Sequence, residues 1–511
     1  MILDVKLIKN TSVFCEESAA ATAAASLGHN YEMMFIDMVN FNFSEKSSKD
    51  IIGSRLSCGY DDYDFYKNLQ EYHGISSHKK IIVDNIEEVV KKEIDNKIPL
   101  LVFPLQRYCD WIDLDGDEPL YFFAIGYSKT YVYGYDIHSN SSQIMKISWN
   151  SMRLSYTKKY NNSVRVYREV AEEKKDIDLF TKIKEIYQQK YWNKDVFQQI
   201  LEFASEVKKG IDFKNEQGEI CYIDEIPLLF EVMQILRARK LLAQTCFWFD
   251  RMKSDIRLRE IGTFLMELGG QWNVVWNLML KLYYFDSEMV NYEEKIAERI
   301  TRIAYMEKEL MQNILENKKI NGNIVTVSNS IEEDKKYAVK DIDITSLLNN
   351  KGFQFDNEDV FKADLTGHEE HFIGNSSLST SGIKIGNTVF KIQNNNYDNF
   401  VCKGQVINIE PSAYKKIYIL ACAEWGNSIG KIIVGYEHEQ KILLCDFIDW
   451  FYSETGSSYV AWKGKAVDST GEVVNRALFC LDFDLVQNDK IYWLKFEECE
   501  NVHIFGIKML Y

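Results

Sequence analysis

Cys15 stands directly before a run of small residues, in the segment SVFCEESAAATAAASLGH at positions 12–29. This run predicts a helix over residues 15–27, with Ser12 as its N-cap and Gly28 at its C-terminal stop. A helix N-terminus stabilises a thiolate, so the placement allows Cys15 to act as a nucleophile. The alternative is that Cys15 is a small residue that only packs at the start of the helix.

A reactive cysteine needs a base or a cationic neighbour near neutral pH. The N-terminal third of the chain offers four histidines, which are His29, His73, His78 and His138. His138 follows Asp136 by two residues, so on a continuous strand both side chains would share one face. We therefore take His138 as the first candidate for the base. Surface or capping roles are the alternative for all four histidines, and Asp136 can equally cap a turn.

The elements that would position these residues follow from the hydrophobic pattern. Helical spacing over residues 85–97 is followed by strand-like runs at 98–105, 119–128 and 130–137. A tight turn near residues 127–130 joins the last two runs, which predicts a hairpin with one buried face. The second strand of that hairpin ends close to Asp136.

The rest of the chain changes character twice. Long amphipathic stretches between about residues 175 and 320 predict a helical region. From about residue 340, short strands alternate with Gly, Asn and Asp turns, as in a β-sandwich. The sequence therefore predicts a multidomain α+β protein, with an α/β domain at 1–165, a helical domain at 166–335 and a β-sandwich at 340–511.

Composition excludes some classes of function. The 511 residues include 60 basic and 76 acidic side chains, a net charge of −16, so no basic surface for nucleic acid or an anionic membrane is expected. No apolar stretch is long enough for a transmembrane helix, and the N-terminus lacks the layout of a signal peptide. The ten cysteines form no CxxC pair. We expect reduced thiols and a cytoplasmic protein.

The N-terminal 320 residues resemble a known family. The phrases FCEESAAATAAASLGHNYEMMF, VYGYDIH, LRARKLLAQTCFWF and QWNVVWNLMLKL are similar to the family of butirosin-biosynthesis H-type acyltransferases, which have a papain-like cysteine peptidase fold. The resemblance implies a papain-like fold for residues 1–165. It also implies that Cys15 takes or positions an acyl group from the phosphopantetheine thioester of a carrier protein and passes it to an amine. No cofactor of the chain's own is expected.

The chain departs from that family at the catalytic histidine. The resemblance places this histidine among Leu120, Tyr121 and Phe122, none of which can accept a proton from Cys15. Asp136 matches the position that would orient the missing histidine. If the chain is active, a relocated base is required, and His138 is the first candidate.

Further residues are candidates for binding substrate and partner. Glu16, Tyr108 and Tyr121 are candidate substrate contacts. Carrier proteins are usually acidic, so a chain of net charge −16 needs a local basic patch to bind one. The run LRARK supplies such a patch, with Arg237 and Arg239 as the candidate contacts to an acyl carrier protein or a peptide synthetase. The acidic segment at 109–119 lacks the ligand spacing of a calcium loop, so no metal site is expected.

The C-terminal strands resemble jelly-roll modules of the galactose-binding-like kind. Aromatic and polar side chains that could contact a sugar are Trp425, Trp450, Trp462, Asn399, Gln405 and Asp449. Three functions remain open from sequence. They are an acyl- or aminoacyltransferase of secondary metabolism that uses Cys15, an inactive papain-like scaffold that binds a carrier protein or synthetase, and a carbohydrate-binding protein that acts through its sandwich.

Overall fold

The computed structural model describes most of the chain. The described residues are 1–8, 13–44, 51–58, 64–82, 85–112, 116–138, 143–156, 163–170, 177–220, 222–284, 291–318, 324–325, 338–355, 362–385, 388–392, 396–451, 460–485 and 489–511. The predicted N-cap Ser12 and most of the predicted boundary near residues 320–340 lie outside these ranges.

The described helices include all the long amphipathic stretches predicted from sequence. They are α1 Cys15–Ser26, α2 Ile52–Arg55, α3 Phe65–His73, α4 Ile86–Asp95, α5 Trp149–Ser155, α6 Leu179–Ile186, α7 Val196–Lys208, α8 Phe213–Gln217, α9 Pro227–Lys253, α10 Ile256–Tyr284, α11 Tyr292–Leu315 and α12 Ser376–Ser381. A π-helical segment, Tyr187–Trp192, follows α6 directly.

The described strands are mostly short. They are β1 Asn42–Phe43, β2 Leu56–Ser57, β3 Ile75–Ile81, β4 Leu100–Val102, β5 Phe122–Tyr127, β6 Tyr131–Asp136, β7 Met145–Ser148, β8 Ser163–Glu169, β9 Ile324–Val325, β10 Val339–Ile342, β11 Phe353–Phe355, β12 His371–Gly374, β13 Ile383–Ile385, β14 Thr388–Phe390, β15 Phe400–Cys402, β16 Val406–Ser412, β17 Lys416–Ala423, β18 Ser428–Tyr436, β19 Gln440–Phe447, β20 Val460–Val467, β21 Val473–Asp484, β22 Ile491–Phe496 and β23 Cys499–Leu510.

The chain separates into two compact units, each of which contains helices and strands, and this confirms the predicted multidomain α+β class. The first unit comprises Met1–Phe41, Cys58–Lys194 and Arg237–Gly262. The second unit comprises Asn42–Ser57, Asp195–Leu236 and Thr263–Tyr511. The division into domains at 1–165, 166–335 and 340–511 stays a prediction.

The first unit is built on a six-stranded antiparallel sheet with the strand order β3-β8-β4-β5-β6-β7. Side chains alternate along β5 because successive residues of a strand point to opposite faces. Phe123 and Ile125 belong to the core that contains the α1 alanines, whereas Phe122 and Ala124 belong to the core that contains the apolar side of α4. Burial of both faces explains why β5 is an uninterrupted apolar run.

Helix α1 is held against this sheet by small side chains. Its buried alanines, none of which has exposed surface, are Ala19, Ala20, Ala21, Ala23 and Ala24. Methyl side chains let the helix backbone lie close to the apolar face of the sheet. Gly28 follows the helix with φ of +78°, a conformation that glycine adopts without strain, so the predicted C-terminal stop is confirmed.

The predicted hairpin is also confirmed. Strands β5 and β6 pair antiparallel, with Phe122 opposite Asp136. The sequence pattern did not predict β3, α3 or β8. In the sheet, β8 lies between β3 and β4.

The second unit contains two large sheets that give a sandwich-like arrangement. One has the order β10-β23-β17-β21-β20-β12-β11, with β15 also paired to β23, and the other has the order β16-β22-β18-β19-β9. The short strands predicted from about residue 340 are present as β10–β23.

The geometry of the hairpin leads to a stability prediction. A Cβ added to Gly134 would contact the Phe123 carbonyl oxygen and lie 2.6 Å from the Phe122 ring. We expect Gly134→Ala to lower the free energy of unfolding by about 1–3 kcal/mol, since neither a paired strand nor a buried ring can move freely. Urea denaturation measures this change.

Gly116→Ala is the matched control. Its added methyl would meet only the end of the Gln106 side chain, at 2.8 Å, and that side chain can rotate away. An equal loss of stability in both variants would contradict the close approach at Gly134.

Candidate functional site

Helix α1 begins at Cys15, with Phe14 in extended conformation before it. The Phe14 N–H donates to Glu17 Oε2 at 2.7 Å, and the Ser18 N–H donates to the Phe14 carbonyl at 2.8 Å. The first of these bonds is half of a capping box, in which a glutamate inside the helix reaches back to the N-cap. The start of the helix is therefore fixed one residue before the thiol.

Glu17 is buried and forms an ion pair with Arg237 of α9. The Arg237 Nη2 lies 2.6 Å from Glu17 Oε2, and both side chains have less than a twentieth of their surface exposed. The Arg237 guanidinium carbon also lies 3.3 Å from the centre of the Phe14 ring. Burial raises the pKa of Glu17, while Arg237 and the Phe14 N–H act in the opposite direction. The pair joins the N-terminus of α1 to α9 within the first unit.

These contacts correct the prediction that Arg237 and Arg239 form a docking patch. Arg239 has no exposed surface, and its guanidinium donates to the Asn40 carbonyl at 3.1 Å and to the Tyr191 hydroxyl. A charged run on a helix usually faces solvent, but both arginine side chains are buried and bind groups inside the protein. Neither side chain is available to a carrier protein.

Cys15 lies beside His138. The sulfur is 3.5 Å from Nε2 and 3.6 Å from Nδ1 of the imidazole. Because the two distances are nearly equal, the sulfur is aligned with neither nitrogen lone pair, and a rotation of the ring is needed to direct one nitrogen at it. Cys15 is half-buried and His138 is exposed, whereas the other described cysteines are buried.

Asp136 positions His138 through the backbone. Its Oδ1 accepts the His138 backbone N–H at 2.9 Å, and its Oδ2 accepts the indole N–H of Trp111 at 2.8 Å. Strand β6 ends at Asp136, and His138 lies in the bend that follows. The expectation that both side chains share one strand face is therefore wrong. The carboxylate fixes the turn that carries the imidazole.

A group of polar and aromatic side chains surrounds Glu16, the residue that follows the thiol. Glu16 Oε2 accepts the Tyr66 hydroxyl at 2.9 Å and lies 3.6 Å from Arg165 Nη2. The Arg165 guanidinium carbon is 4.2 Å from the centre of the Tyr66 ring. Burial, and then Glu16 and Cys15, raise the pKa of Tyr121.

Of the predicted substrate contacts, Glu16 and Tyr121 lie at this site. The Tyr121 ring centre is 5.4 Å from that of His138. Tyr108 is half-buried in a 3-10 turn, Gln106–Tyr108, and is not among the contacts that define the site. Sequence reasoning missed Tyr66 and Arg165, which lie on the unpredicted elements α3 and β8. Their only sequence signal is a cation and an aromatic residue on segments without clear periodicity.

The acidic segment at 109–119 is only partly described, since residues 113–115 lie outside the described ranges. Asp117 forms an ion pair with Arg107. Within the part of the chain that the structure describes, no group of His, Cys, Asp or Glu side chains could hold a metal ion.

Most of the predicted sugar contacts have internal roles in the second unit. Trp450 is buried in the sandwich core, and Trp462 packs against that core. Gln405 closes a turn by accepting from the Lys403 N–H and donating to the Val401 carbonyl.

The predicted polar contacts Asn399 and Asp449 also form hydrogen bonds within the protein. Asn399 is fully buried and donates to Asn350 and Asp398. Asp449 accepts backbone N–H groups from Gly426 and Phe451, and burial raises its pKa to about 6. Trp425 is half-buried and lies in the bend that follows β17.

Comparisons with known proteins do not assign the chain to a family. No protein-family model matches it, and a search of curated proteins gives no significant match. Over the described residues, no helix is long and apolar enough to cross a membrane.

The buried pair beneath the site leads to a second prediction. Arg237→Met leaves the Glu17 carboxylate buried without its cation, so we expect a loss of about 3–5 kcal/mol in the free energy of unfolding. The double variant Glu17→Gln/Arg237→Met removes both charges and should recover most of that loss. Chemical denaturation of the single and double variants measures the coupling.

Arg259→Met is the control for a salt bridge with one exposed partner. Arg259 is half-exposed and pairs with Asp250 at 2.8 Å, so water can reach the site when the guanidinium is removed and we expect a smaller cost than for Arg237→Met. An Arg237→Met variant no less stable than Arg259→Met would show that the buried pair does not hold the helix start.

Proposed function

We propose that the protein is a cysteine-dependent acyltransferase in which Cys15 is the nucleophile and His138 the base. The observation that carries the proposal is the contact between Cys15 Sγ and both imidazole nitrogens, at 3.5 and 3.6 Å. The partial exposure of both side chains supports it, because an acyl donor must reach the sulfur. The proposed fold of the first unit is papain-like, and that of the sandwich is a jelly roll.

The chemistry follows from the charges at the sulfur. His138 takes the thiol proton, and the thiolate attacks the carbonyl carbon of a thioester. The carbon–sulfur bond to the donor breaks, and the imidazolium returns its proton to the departing thiolate. An amine then attacks the acyl-cysteine and loses a proton to His138, and Cys15 leaves as a thiolate.

The first turn of α1 favours the same step. Its N–H groups point toward the N-terminus of the helix, where they can donate to the oxyanion that forms on the carbonyl. A thioester is already activated, so catalysis of its acyl transfer requires mainly correct positioning and hydrogen-bond donors of this kind. This supports a carrier-bound phosphopantetheine thioester as donor and a small amine as acceptor.

Glu16 is the residue we assign to the amine. Its carboxylate is held by the Tyr66 hydroxyl and lies beside Arg165, on the residue that follows Cys15 in the sequence. An incoming ammonium group would find a fixed carboxylate there, with Tyr121 as one wall. The surface that receives the carrier protein is not assigned, since Arg237 and Arg239 are buried.

The alternative is an inactive scaffold that binds a carrier protein or a synthetase. The acyltransferase and scaffold hypotheses predict different reactivity of the Cys15 thiol. In the scaffold, Cys15 would react with alkylating agents at the rate of an ordinary thiol, and no acyl adduct would form.

The test measures alkylation of Cys15 by iodoacetamide and acyl transfer from an acyl-pantetheine thioester, with peptide mass spectrometry as the readout. His138→Ala should slow alkylation at pH 7 at least tenfold, equivalent to roughly 1.4 kcal/mol of activation free energy. Cys15→Ser should abolish the acyl adduct.

His29→Ala is the matched control, because His29 pairs with Glu169 of the same unit at 3.0 Å and has no role in the proposed reaction. It should leave the alkylation rate unchanged. If wild type and His138→Ala react equally slowly and neither forms an adduct, the protein is an inactive scaffold and the acyltransferase proposal is wrong.

A further inference from the structure

The two glutamates in the first turn of α1 meet their arginines in different ways. Glu17 and Arg237 are in direct contact at 2.6 Å, and both are buried. Glu16 Oε2 and Arg165 Nη2 are 3.6 Å apart, and these side chains keep 33% and 20% of their surface exposed. A direct hydrogen bond between such charged groups is about 2.7–2.9 Å long. The Glu16–Arg165 pair is therefore open, and solvent reaches both of its members.

Neighbouring side chains hold this open pair in place. The Tyr66 hydroxyl donates to Glu16 Oε2 at 2.9 Å, and the centre of the Tyr66 ring lies 4.2 Å from the Arg165 guanidinium carbon. Arg165 Nη1 donates to Ser77 Oγ of the paired strand β3 at 3.2 Å. Burial raises the pKa of Tyr66, so its hydroxyl stays a neutral donor. Both charges are thus fixed without a direct hydrogen bond between them.

Each charged group of the pair retains hydrogen-bonding capacity. Over the described ranges, the Glu16 carboxylate accepts from Tyr66, and the Arg165 guanidinium donates to Ser77. A guanidinium carries five N–H donors, and a carboxylate can accept about four hydrogen bonds. Most of this capacity is therefore directed at solvent, or at a molecule that takes the place of solvent.

Tyr121 connects the open pair to the reacting side chains. Its ring centre lies 5.4 Å from that of His138. Burial, and then Glu16 and Cys15, raise the pKa of Tyr121, whereas Arg165 lowers it. A charge acts on a hydroxyl in this way only when it lies near it. The thiol, the imidazole and the open pair therefore all lie near one aromatic side chain.

We propose that Glu16 and Arg165 bind the acceptor as an α-amino acid, with its ammonium group on Glu16 and its carboxylate on Arg165. This inference rests on the acyltransferase proposed above and names the class of its acceptor. In an α-amino acid the nitrogen and the carboxyl carbon are about 2.5 Å apart, so one molecule can meet both members of a pair that is 3.6 Å apart. The planar guanidinium also matches a carboxylate in shape.

Other classes of small molecule fit the open pair less well. A simple amine would pair with Glu16 and leave the Arg165 guanidinium to water. A carboxylic acid without an amino group would be repelled by Glu16 and would supply no nucleophile. A neutral alcohol or sugar would meet two charges with none of its own. An α-amino acid carries both complementary charges on adjacent groups.

Binding as a zwitterion determines how the nitrogen becomes reactive. The bound ammonium group transfers one proton to the Glu16 carboxylate, which leaves a lone pair on the nitrogen. That lone pair attacks the acyl-cysteine carbonyl, a second proton passes to His138, and Cys15 leaves as a thiolate. This restores the thiolate and imidazolium with which the next cycle begins, and Glu16 releases its proton to water. The product is an N-acyl amino acid.

The first experiment measures binding alone, on full-length Cys15→Ser protein, which lacks the nucleophile. Saturation-transfer NMR spectroscopy screens the twenty standard L-amino acids. The tightest binder is then compared with its decarboxylated amine and with its deaminated acid. We expect the amino acid to bind at least tenfold more tightly than either, because each analogue loses one charged contact. Failure of all twenty to bind, or an amine that binds as tightly as the amino acid, would overturn the proposal.

Variants in the same background identify the two contacts. Arg165→Gln should weaken binding of the amino acid at least tenfold and leave binding of the amine unchanged. Glu16→Gln should weaken both, and it serves if Arg165→Gln fails to fold. Arg168→Gln is the matched control, because Arg168 lies on the opposite face of β8 and pairs with Glu93 at 2.7 Å. If Arg165→Gln binds both compounds as Arg168→Gln does, Arg165 is not the carboxylate contact.

A second experiment separates this inference from the acyltransferase itself. Acylation of Cys15 by an acyl-pantetheine thioester does not involve the acceptor, so Arg165→Gln with an intact Cys15 should form the adduct as wild type does. Release of that adduct should then need at least tenfold more amino acid in Arg165→Gln. An absent adduct in wild type would contradict the acyltransferase. An adduct that forms, and that the amino acid releases equally well from both proteins, would contradict the assignment of the acceptor.

Discussion

The ion pair between Glu17 and Arg237 fixes the start of α1, and the proposed site depends on it. One glutamate oxygen receives both the guanidinium and the Phe14 N–H, at 2.6 and 2.7 Å. Replacing a buried pair of this kind by apolar residues often costs nothing, whereas breaking it costs about 3–5 kcal/mol. Its value therefore lies in position. It holds the residue before the thiol in extended conformation, and so determines where the Cys15 side chain begins.

Electrostatics at the thiol depend on two arginines as well as on His138. The sequence places two carboxylates, Glu16 and Glu17, directly after Cys15, and unpaired carboxylates would oppose a thiolate. Arg165 lies beside the first and Arg237 pairs with the second. Two further interactions stabilise a thiolate here. The helix dipole contributes about 0.3–1 kcal/mol, and an imidazolium about 4 Å away contributes about 4 kcal/mol at an effective dielectric constant of 20. In the proposed mechanism, His138 therefore supplies the largest of these stabilising influences on the thiolate.

The sequence was sufficient for elements with strong periodicity and insufficient for contacts between distant segments. The alanine-rich helix, its glycine stop and the β5–β6 hairpin follow from local pattern. Strands β3 and β8 read ISSHKKI and SVRVYRE, in which charged residues hide the strand period, so Arg165 was missed. Arg237 and Arg239 were wrongly predicted to face a partner protein, for a different reason. The burial of an arginine depends on a partner elsewhere in the chain, here Glu17 and Tyr191.

The same ion pair bears on how the chain is divided. The sequence pattern changes from strands to helices near residue 165. Glu17 and Arg237 lie on opposite sides of that position, yet both belong to the same compact unit. A fragment that ended at residue 165 would keep the Glu17 carboxylate and lose its cation. The cost of an unpaired buried charge, about 3–5 kcal/mol, is a large share of the 5–15 kcal/mol by which a folded domain is stable. Composition thus locates the elements, whereas the buried charges determine which elements must fold together.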